Sequence, residues 1–369
     1  MIRVLQVPHS MNRGGIETML MNYYRHIDRT KIQFDFLITD FEKCDYEDEI
    51  LSLGGKIYRI NHIRNGVFKY LKDLDIFFQS HANEYSIVHS HTSSRSFFPL
   101  LFSKKYGIKT RISHSHNSIG SKNLDGLIRN ILKIPLKFVV TDRYACSEKA
   151  AEWLYGKNAM NKYDITLLRN AIDAKKFDYD KNIRKKIREE LNLNDKVVYC
   201  HVGRFMKQKN HSFLIDIFEK ICDKEENAML LLAGTGELLE DTKIKVNKLG
   251  LEKKVLFLGV RTDIENILQG VDCFLLPSLY EGLPVVGIEA QASGTPCVMS
   301  NTITTETDIT GLVKYFDLNK TAEEWANVII EFRKLHPKKS MYNTIKKSGY
   351  DIVSNAKLLS KNYEKFFER

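Results

Sequence analysis

The sequence predicts an α/β chain built as two domains, each a parallel sheet with helical crossovers. Three observations carry the prediction. At 369 residues the chain is longer than one ordinary core requires, and its 43% hydrophobic residues can fill two. Short apolar runs of strand length alternate with helix-periodic segments in both halves, which is the rhythm of parallel strands joined by right-handed crossovers. The stretch Tyr280–Ser300, YEGLPVVGIEAQASGTPCVMS, condenses that rhythm. A buried strand over Val271–Pro277 precedes it, a Tyr-Glu-Gly-Leu-Pro turn follows, and a helix runs from Pro284 to about Ser293, where Gly294 stops it.

Composition narrows the class. The 28% charged residues are ordinary for a soluble protein, and the formal net charge is +10. Such a charge suits nucleic acid, an anionic membrane surface or phosphorylated substrates without choosing among them. The six cysteines are scattered and form no C-x-x-C pair, so neither a zinc site nor a disulfide framework is expected. The N-terminus MIRVLQVPHS has no long apolar core of a signal peptide, and no stretch reaches the length of a membrane span. The expected location is therefore cytoplasmic.

In the first half, Ile2–Val7 reads as a strand, Pro8–Gly15 as a loop and Ile16–Ile27 as a helix. Gly14-Gly15 is a glycine turn at that junction, free to take positive φ and to let a ligand approach the backbone. Further strands are expected at Phe34–Ile38, Lys56–Ile60, Ile87–His91, Thr110–Ser115 and Arg143–Cys146. Two histidine clusters end strands: His89-Ser-His91, and His114-Ser-His116 followed by Asn117. His116 is expected to emerge at the carboxyl edge of the sheet, with His114 on the opposite side or in the strand's packing. Asp73-Leu-Asp75 has the spacing of a metal-binding pair but falls inside the helix-periodic segment Val67–Phe78, so it reads as a solvated face. Asp178-Tyr-Asp180 falls in an expected linker. In the apolar stretch Asp125–Val140, Arg129, Lys133 and Lys137 are spaced by four and share a helical face if Pro135 is only a kink. That segment is either an amphipathic core helix or one that lies on a membrane surface, with Lys104, Lys105, Lys109 and Arg111 adding to a basic face.

In the second half, Lys196–Gly203 is a strand followed by Arg204-Phe-Met-Lys-Gln-Lys209-Asn210 and an amphipathic helix from His211. Ala228–Gly236 is a strand entering a Gly-Thr-Gly turn. That turn lacks the third glycine of a dinucleotide fingerprint and reads as structural. Val255–Val260 is another strand. The Tyr280 stretch then places Glu281, Gly282 and Leu283 at a helix N-terminus on the carboxyl edge of a sheet, where open α/β sheets bind ligands. Free N–H groups and the helix dipole there suit phosphate. Glu281 in the loop and Glu289 inside the helix suit sugar or ribose hydroxyls.

With E-G-L-P and a second Glu eight positions on, the segment resembles the donor site of the GT-B glycosyltransferases, specifically the retaining family 4 (glycosyl transferases group 1) of bacterial capsule and exopolysaccharide synthesis. Gly203-Arg204 with Lys209 resembles the family's G-R-x4-K loop. Arg169–Phe177, RNAIDAKKF, resembles the segment that leads into its second domain. The resemblance implies two Rossmann-like domains facing each other across a central cleft. The acceptor domain would be 1–180 and the nucleotide-sugar domain 181–345, with a C-terminal helix, 346–369, packing back on the first. It implies transfer of a hexose or N-acetylhexosamine from a UDP-sugar to a lipid-linked glycan acceptor, with no cofactor, metal or nucleic acid. Arg204 and Lys209 would then hold the diphosphate, Glu289 the ribose, Val260 and Arg261 the base through their backbone, and Glu281 with the Gly282 and Leu283 amides the sugar and phosphate. His116 and Gly15 would line the reaction centre. Where the family carries a glycine-rich acidic segment this chain has NTITTETDITG, with Glu306 as the counterpart. A non-catalytic accessory subunit and a nucleotide-sugar epimerase on the same fold are the alternatives.

Overall fold

The structure is a computed structural model, and it describes residues 1–116 and 124–369. Asn117, named above beside His116, lies outside the described residues. The chain forms two compact units: Met1–Ala171 with Ile352–Arg369, and Ile172–Asp351.

The first unit carries a seven-stranded sheet of β1 (Ile2–Val7), β2 (Ile32–Ile38), β3 (Ile57–Arg59), β4 (Ile87–Ser90), β5 (Thr110–Ser115), β6 (Asp142–Ala145) and β7 (Ile165–Leu167), in the order β3-β2-β1-β4-β5-β6-β7. The second carries a six-stranded sheet of β8 (Val197–Val202), β9 (Ala228–Ala233), β10 (Val255–Gly259), β11 (Cys273–Leu276), β12 (Cys297–Ser300) and β13 (Val313–Phe316), in the order β10-β9-β8-β11-β12-β13. Every pairing in both is parallel. Central strands are buried on both faces, as helix-covered parallel sheets require: β2 and β11 are buried along their whole length. The two sheets reverse strand order at the same place. In the first unit the switch falls between β1 and β4, in the second between β8 and β11. Loops leaving the carboxyl ends on either side of a switch diverge and leave a crevice for ligand.

The boundary lies earlier than residue 180. Ile172, Ala174 and Phe177 pack in the second unit's core with Phe274, Met341, Ile345 and Tyr350. Ile172 N–H donates to the Tyr350 carbonyl at 2.9 Å, so the outgoing and returning chains lie side by side. The second unit likewise ends at Asp351 rather than 345. The C-terminal helix Ile352–Phe367 buries Ile352, Ala356, Leu359 and Tyr363 in the core of the first unit.

Both paired aspartates serve the fold. Asp73, on the helix Val67–His81, accepts the Asn61 backbone N–H at 2.8 Å. Asp75 accepts from Lys105 Nζ at 2.6 Å and from the Tyr106 hydroxyl at 2.8 Å. Asp180 is the N-cap of the helix Lys181–Glu190 and accepts the Asn182 N–H at 2.6 Å, a helix start where the sequence reads as linker.

Candidate functional site

In the second unit, the loops leaving β8 and β11 are stapled together at the switch point. The Leu279 N–H donates to the Gln208 carbonyl at 2.8 Å. Gln208 Nε2 donates to the Tyr280 carbonyl at 2.9 Å and to Glu281 Oε2 at 3.1 Å. Asn210, in the left-handed region at φ 57°, donates through Nδ2 to the Pro277 carbonyl at 3.1 Å. The Gly-Thr-Gly turn supports this loop from the β9 side. A Cβ on Gly234 would stand 2.1 Å from the Gly203 carbonyl oxygen, and one on Gly236 would stand 2.4 Å from that of Phe205, so only glycine allows the two backbones to touch. Phe205 N–H donates to Thr235 O and Leu238 N–H to Phe205 O, both at 2.9 Å.

The charges on these loops divide. Lys209 Nζ lies 2.6 Å from Glu281 Oε1, with both side chains largely buried, so the lysine expected as a free cation is already paired. The pairing follows from the stapling, which brings residues 72 positions apart into contact. Arg204 is exposed, and among the described residues its guanidinium makes no ion pair. Glu289 sits inside the helix Val285–Ala292, and its carboxyl has no hydrogen-bond partner among the described residues. Burial first, and the neighbouring carboxylate of Glu265 second, push its carboxyl up to about 7.

The remaining second-unit expectations separate into backbone and side chain. Gly282 opens on empty space. Leu283 packs its side chain on the core, which leaves only its amide available. Pro284 is the N-cap at ψ 106°, one residue outside the helix rather than in its first turn, and no side chain caps that end. Val260 is 60% exposed. The Arg261 guanidinium is committed to Asp263 at 2.8 and 2.7 Å and to Glu190 at 3.3 Å, which leaves its backbone for the role expected of it.

In the first unit, Gly15 begins the helix Gly15–His26, with Gly14 as its N-cap at φ −137°. That extended backbone suits any residue, so the expected positive φ is absent. Gly14 instead makes room for Glu17, whose Oε2 would lie 2.4 Å from an added Cβ, while Gly15 has nothing within 4 Å.

The histidine clusters meet on one face. His114 and His116 are two residues apart, and strand side chains alternate, so they point the same way; of the two places expected for His114, the opposite side is corrected and the strand's packing holds, where it is fully buried. Their ring centroids lie 4.0 Å apart. In register, Gln6 of β1 pairs with His89 of β4, which pairs with Ile112 of β5, so these side chains and the next ones up share that face. His91 Nδ1 is 3.0 Å from His116 Nε2, and His91 Nε2 is 2.8 Å from Gln6 Oε1. His89 Nδ1 is 2.7 Å from the hydroxyl of Tyr363, on the C-terminal helix. Burial holds His116 neutral, its pKa lowered to about 3, and it lowers His89, His91 and His114 as well.

Among the described residues, His89, His91 and His114 form one group whose ligand atoms lie within 4.8 Å of one another. A metal lies in the plane of a ligating imidazole, but the ring of His89 stacks face to face on His91 at 4.4 Å and on His114 at 5.2 Å. Both His91 nitrogens are already hydrogen-bonded. The arrangement suits a hydrogen-bond chain better than a coordination site.

The helix Leu124–Leu136 contains Pro135 and turns apolar residues outward. Leu127, Ile131, Ile134 and, just beyond it, Phe138 are each more than half exposed. Lys133 Nζ lies over the Trp153 ring at 4.0 Å. The basic face expected at 103–111 is largely spent internally. Lys104 donates to the Phe138 carbonyl, Lys105 pairs with Asp75, and Arg111 closes the carbonyls of Ile108, Lys109 and Val139. Among the described residues no helix is long and apolar enough to cross a membrane.

Three comparisons bear on this arrangement. The family model for glycosyl transferases group 1 matches residues 183–350, the span that holds Arg204, Lys209, Glu281 and Glu289. EpsF of Bacillus subtilis (strain 168), which carries a glycosyltransferase name, is 34% identical over 369 residues, covering 98% of this chain and 96% of that protein. The UDP-Gal:alpha-D-GlcNAc-diphosphoundecaprenol alpha-1,3-galactosyltransferase of Escherichia coli is 29% identical over 232 residues, covering 59% of this chain and 58% of that protein. Among solved structures, the Anabaena protein HepE in complex with UDP superposes with a TM-score of 0.72 at 16% identity, covering 100% of this chain and 98% of that one. That likeness concerns the fold, and the two Rossmann-like units are those of the GT-B class. With a full-length relative at this identity and the family model on the unit that carries the stapled loops, the chain is a glycosyltransferase and belongs to the glycosyl transferases group 1 family.

Proposed function

We propose that the protein transfers a hexose or N-acetylhexosamine from a UDP-sugar, with retention, to a lipid-linked glycan acceptor of surface-polysaccharide synthesis. The observation that carries this reading is the stapled pair of loops at the β8/β11 switch, with an unpaired Arg204 beside the Lys209–Glu281 pair. The activity named for the Escherichia coli relative and the UDP bound in the HepE complex favour UDP as the nucleotide, and the former favours a diphosphate-lipid acceptor.

Arg204 forks the diphosphate, as a planar guanidinium does with two phosphate oxygens. The incoming phosphate competes with Glu281 for Lys209, and Glu281 released from that pair accepts sugar hydroxyls. The Gly282 and Leu283 amides add donors at the uncapped helix end. Glu289, with no partner of its own, accepts the ribose hydroxyls, and the backbone at Val260 and Arg261 meets the base. His116 and Gly15 line the reaction centre. In the transfer, the bond from the sugar's anomeric carbon to the diphosphate oxygen breaks and the bond to the acceptor oxygen forms on the same face. The acceptor hydroxyl proton goes to the departing phosphate oxygen, whose charge the fixed cations stabilise without a metal. The exposed apolar stripe Leu127, Ile131, Ile134 and Phe138, with basic residues beside it, rests on the anionic cytoplasmic face of a membrane, where a lipid-linked acceptor is found.

The test is a thermal-shift panel of nucleotide sugars, followed by transfer assays with the donors that bind. UDP-sugars should raise the melting temperature more than the GDP- or ADP-sugars. A panel in which only GDP-sugars stabilise the protein would overturn the choice of donor.

A further inference from the structure

The hydrogen bonds among the buried histidines have a direction, and one side chain decides it. Gln6 Oε1 can only accept, and it lies 2.8 Å from His91 Nε2, so His91 carries its proton there. A neutral imidazole protonated on Nε2 has a lone pair on Nδ1. His91 Nδ1 lies 3.0 Å from His116 Nε2, and that bond requires the proton on His116 Nε2. His116 is left with a bare Nδ1, buried and without a hydrogen-bond partner among the described residues. On the other side, Gln6 Nε2 donates to the Tyr363 hydroxyl at 3.3 Å. The hydroxyl's own proton then goes to His89 Nδ1 at 2.7 Å. Gln6 and Tyr363 are both fully buried, so water does not compete for these bonds.

We propose that Gln6 and Tyr363 are positioning residues that fix His116 as its Nε2–H tautomer, so that Nδ1 presents a lone pair to a substrate hydroxyl. The use of that lone pair rests on the reading of His116 as lining the reaction centre; the tautomer does not. The device reaches from the first strand to the last helix, since Gln6 and Tyr363 are 357 positions apart. The C-terminal helix thereby acts on the site as well as on the core.

The test uses the full-length protein labelled with 15N at histidine and long-range 1H–15N correlation, with each ring assigned by single substitution. In the wild type, His116 should show one tautomer, with a protonated Nε2 and a bare Nδ1. Gln6→Met removes the acceptor, and His91 and His116 should each become a mixture. Gln6→Glu keeps an acceptor facing His91 and should restore the single tautomer. Thermal unfolding checks that each variant folds. Should Gln6→Met not fold, Tyr363→Phe serves: it removes the hydroxyl that orients the Gln6 amide, so His89, His91 and His116 should each become a mixture, and an unchanged His116 would overturn the part given to Tyr363. The opposite orientation of the Gln6 amide would reverse every bond in the chain, so a proton on His116 Nδ1 in the wild type overturns the proposal. An unchanged His116 in a folded Gln6→Met variant does the same. The expected tautomer in a protein that bound no nucleotide sugar would support the chain and sink only the use given to His116.

Discussion

The carboxyl edges of the two sheets are built at the same topological place from opposite materials. The second unit's edge holds charge: an exposed Arg204, the Lys209–Glu281 pair and the lone carboxyl of Glu289. The first unit's edge holds a cluster of histidines kept uncharged by burial and tied by Gln6 and Tyr363. The contrast shows that a switch point supplies a location but no chemistry. A charged edge suits phosphate and depends on pH and salt. A neutral, directed edge suits hydroxyls and depends on which nitrogen holds a proton.

The largest expected effect breaks the charged edge. Arg204→Ala should abolish transfer and weaken UDP binding by about 1.5–3 kcal/mol, the worth of charge-assisted hydrogen bonds. Calorimetric titration with UDP reads this directly, and wild-type affinity in the variant would remove Arg204 from the site.

Next comes Glu289. Its folded pKa, about 7, lies above the ordinary carboxyl value of 4.5. Between those values the native state holds a proton that the unfolded chain has lost, so the stability it contributes is complete below 4.5 and falls as pH rises through 7. Glu289→Gln should therefore gain stability over the wild type at pH 8, by up to about 3 kcal/mol, and gain none at pH 4. Urea melts at both pH values measure the difference. An equal gain at both would mean the carboxyl is not strained by burial.

A smaller effect concerns the exposed helix rather than either edge. Replacing Leu127, Ile131 and Ile134 with Ser should release the protein from anionic vesicles at about 1.5–3 kcal/mol per inserted side chain at most, while UDP affinity stays as it was. Co-sedimentation across a salt series reads it; binding that survives the triple substitution would assign attachment to another surface. The smallest expected effect is zero: transfer should proceed in EDTA, because the proposed mechanism gives the leaving phosphate's charge to Arg204 and Lys209. Loss of activity with chelator and recovery with manganese would reassign the charged edge.

Much of this was legible in the chain because the signals are local. Ile2–Val7 is a strand to the residue, since an apolar run bounded by polar loops marks both ends, and Thr110–Ser115 also matches to the residue although Ile112 is its one apolar side chain. The strands Cys297–Ser300 and Val313–Phe316 are only four residues long and do not stand out as runs. Residues two apart on a strand share a face, so His114 and His116 point the same way by their spacing alone.

The sequence by itself determined the fold class, where most strands lie and which residue types stand near their ends, because periodicity, glycine and proline act over a few positions. It marked Arg204, Lys209, Glu281, Glu289 and His116 by motif and spacing. Only the tertiary structure decided what each one touches. Lys209 is paired with Glu281, Arg261 is taken by Asp263, and Gln6 and Tyr363 join the histidines without any motif to announce them. Hydrogen bonds and ion pairs are made within about 3 Å in space, and local sequence patterns hold no record of which distant side chains the sheet brings to that distance.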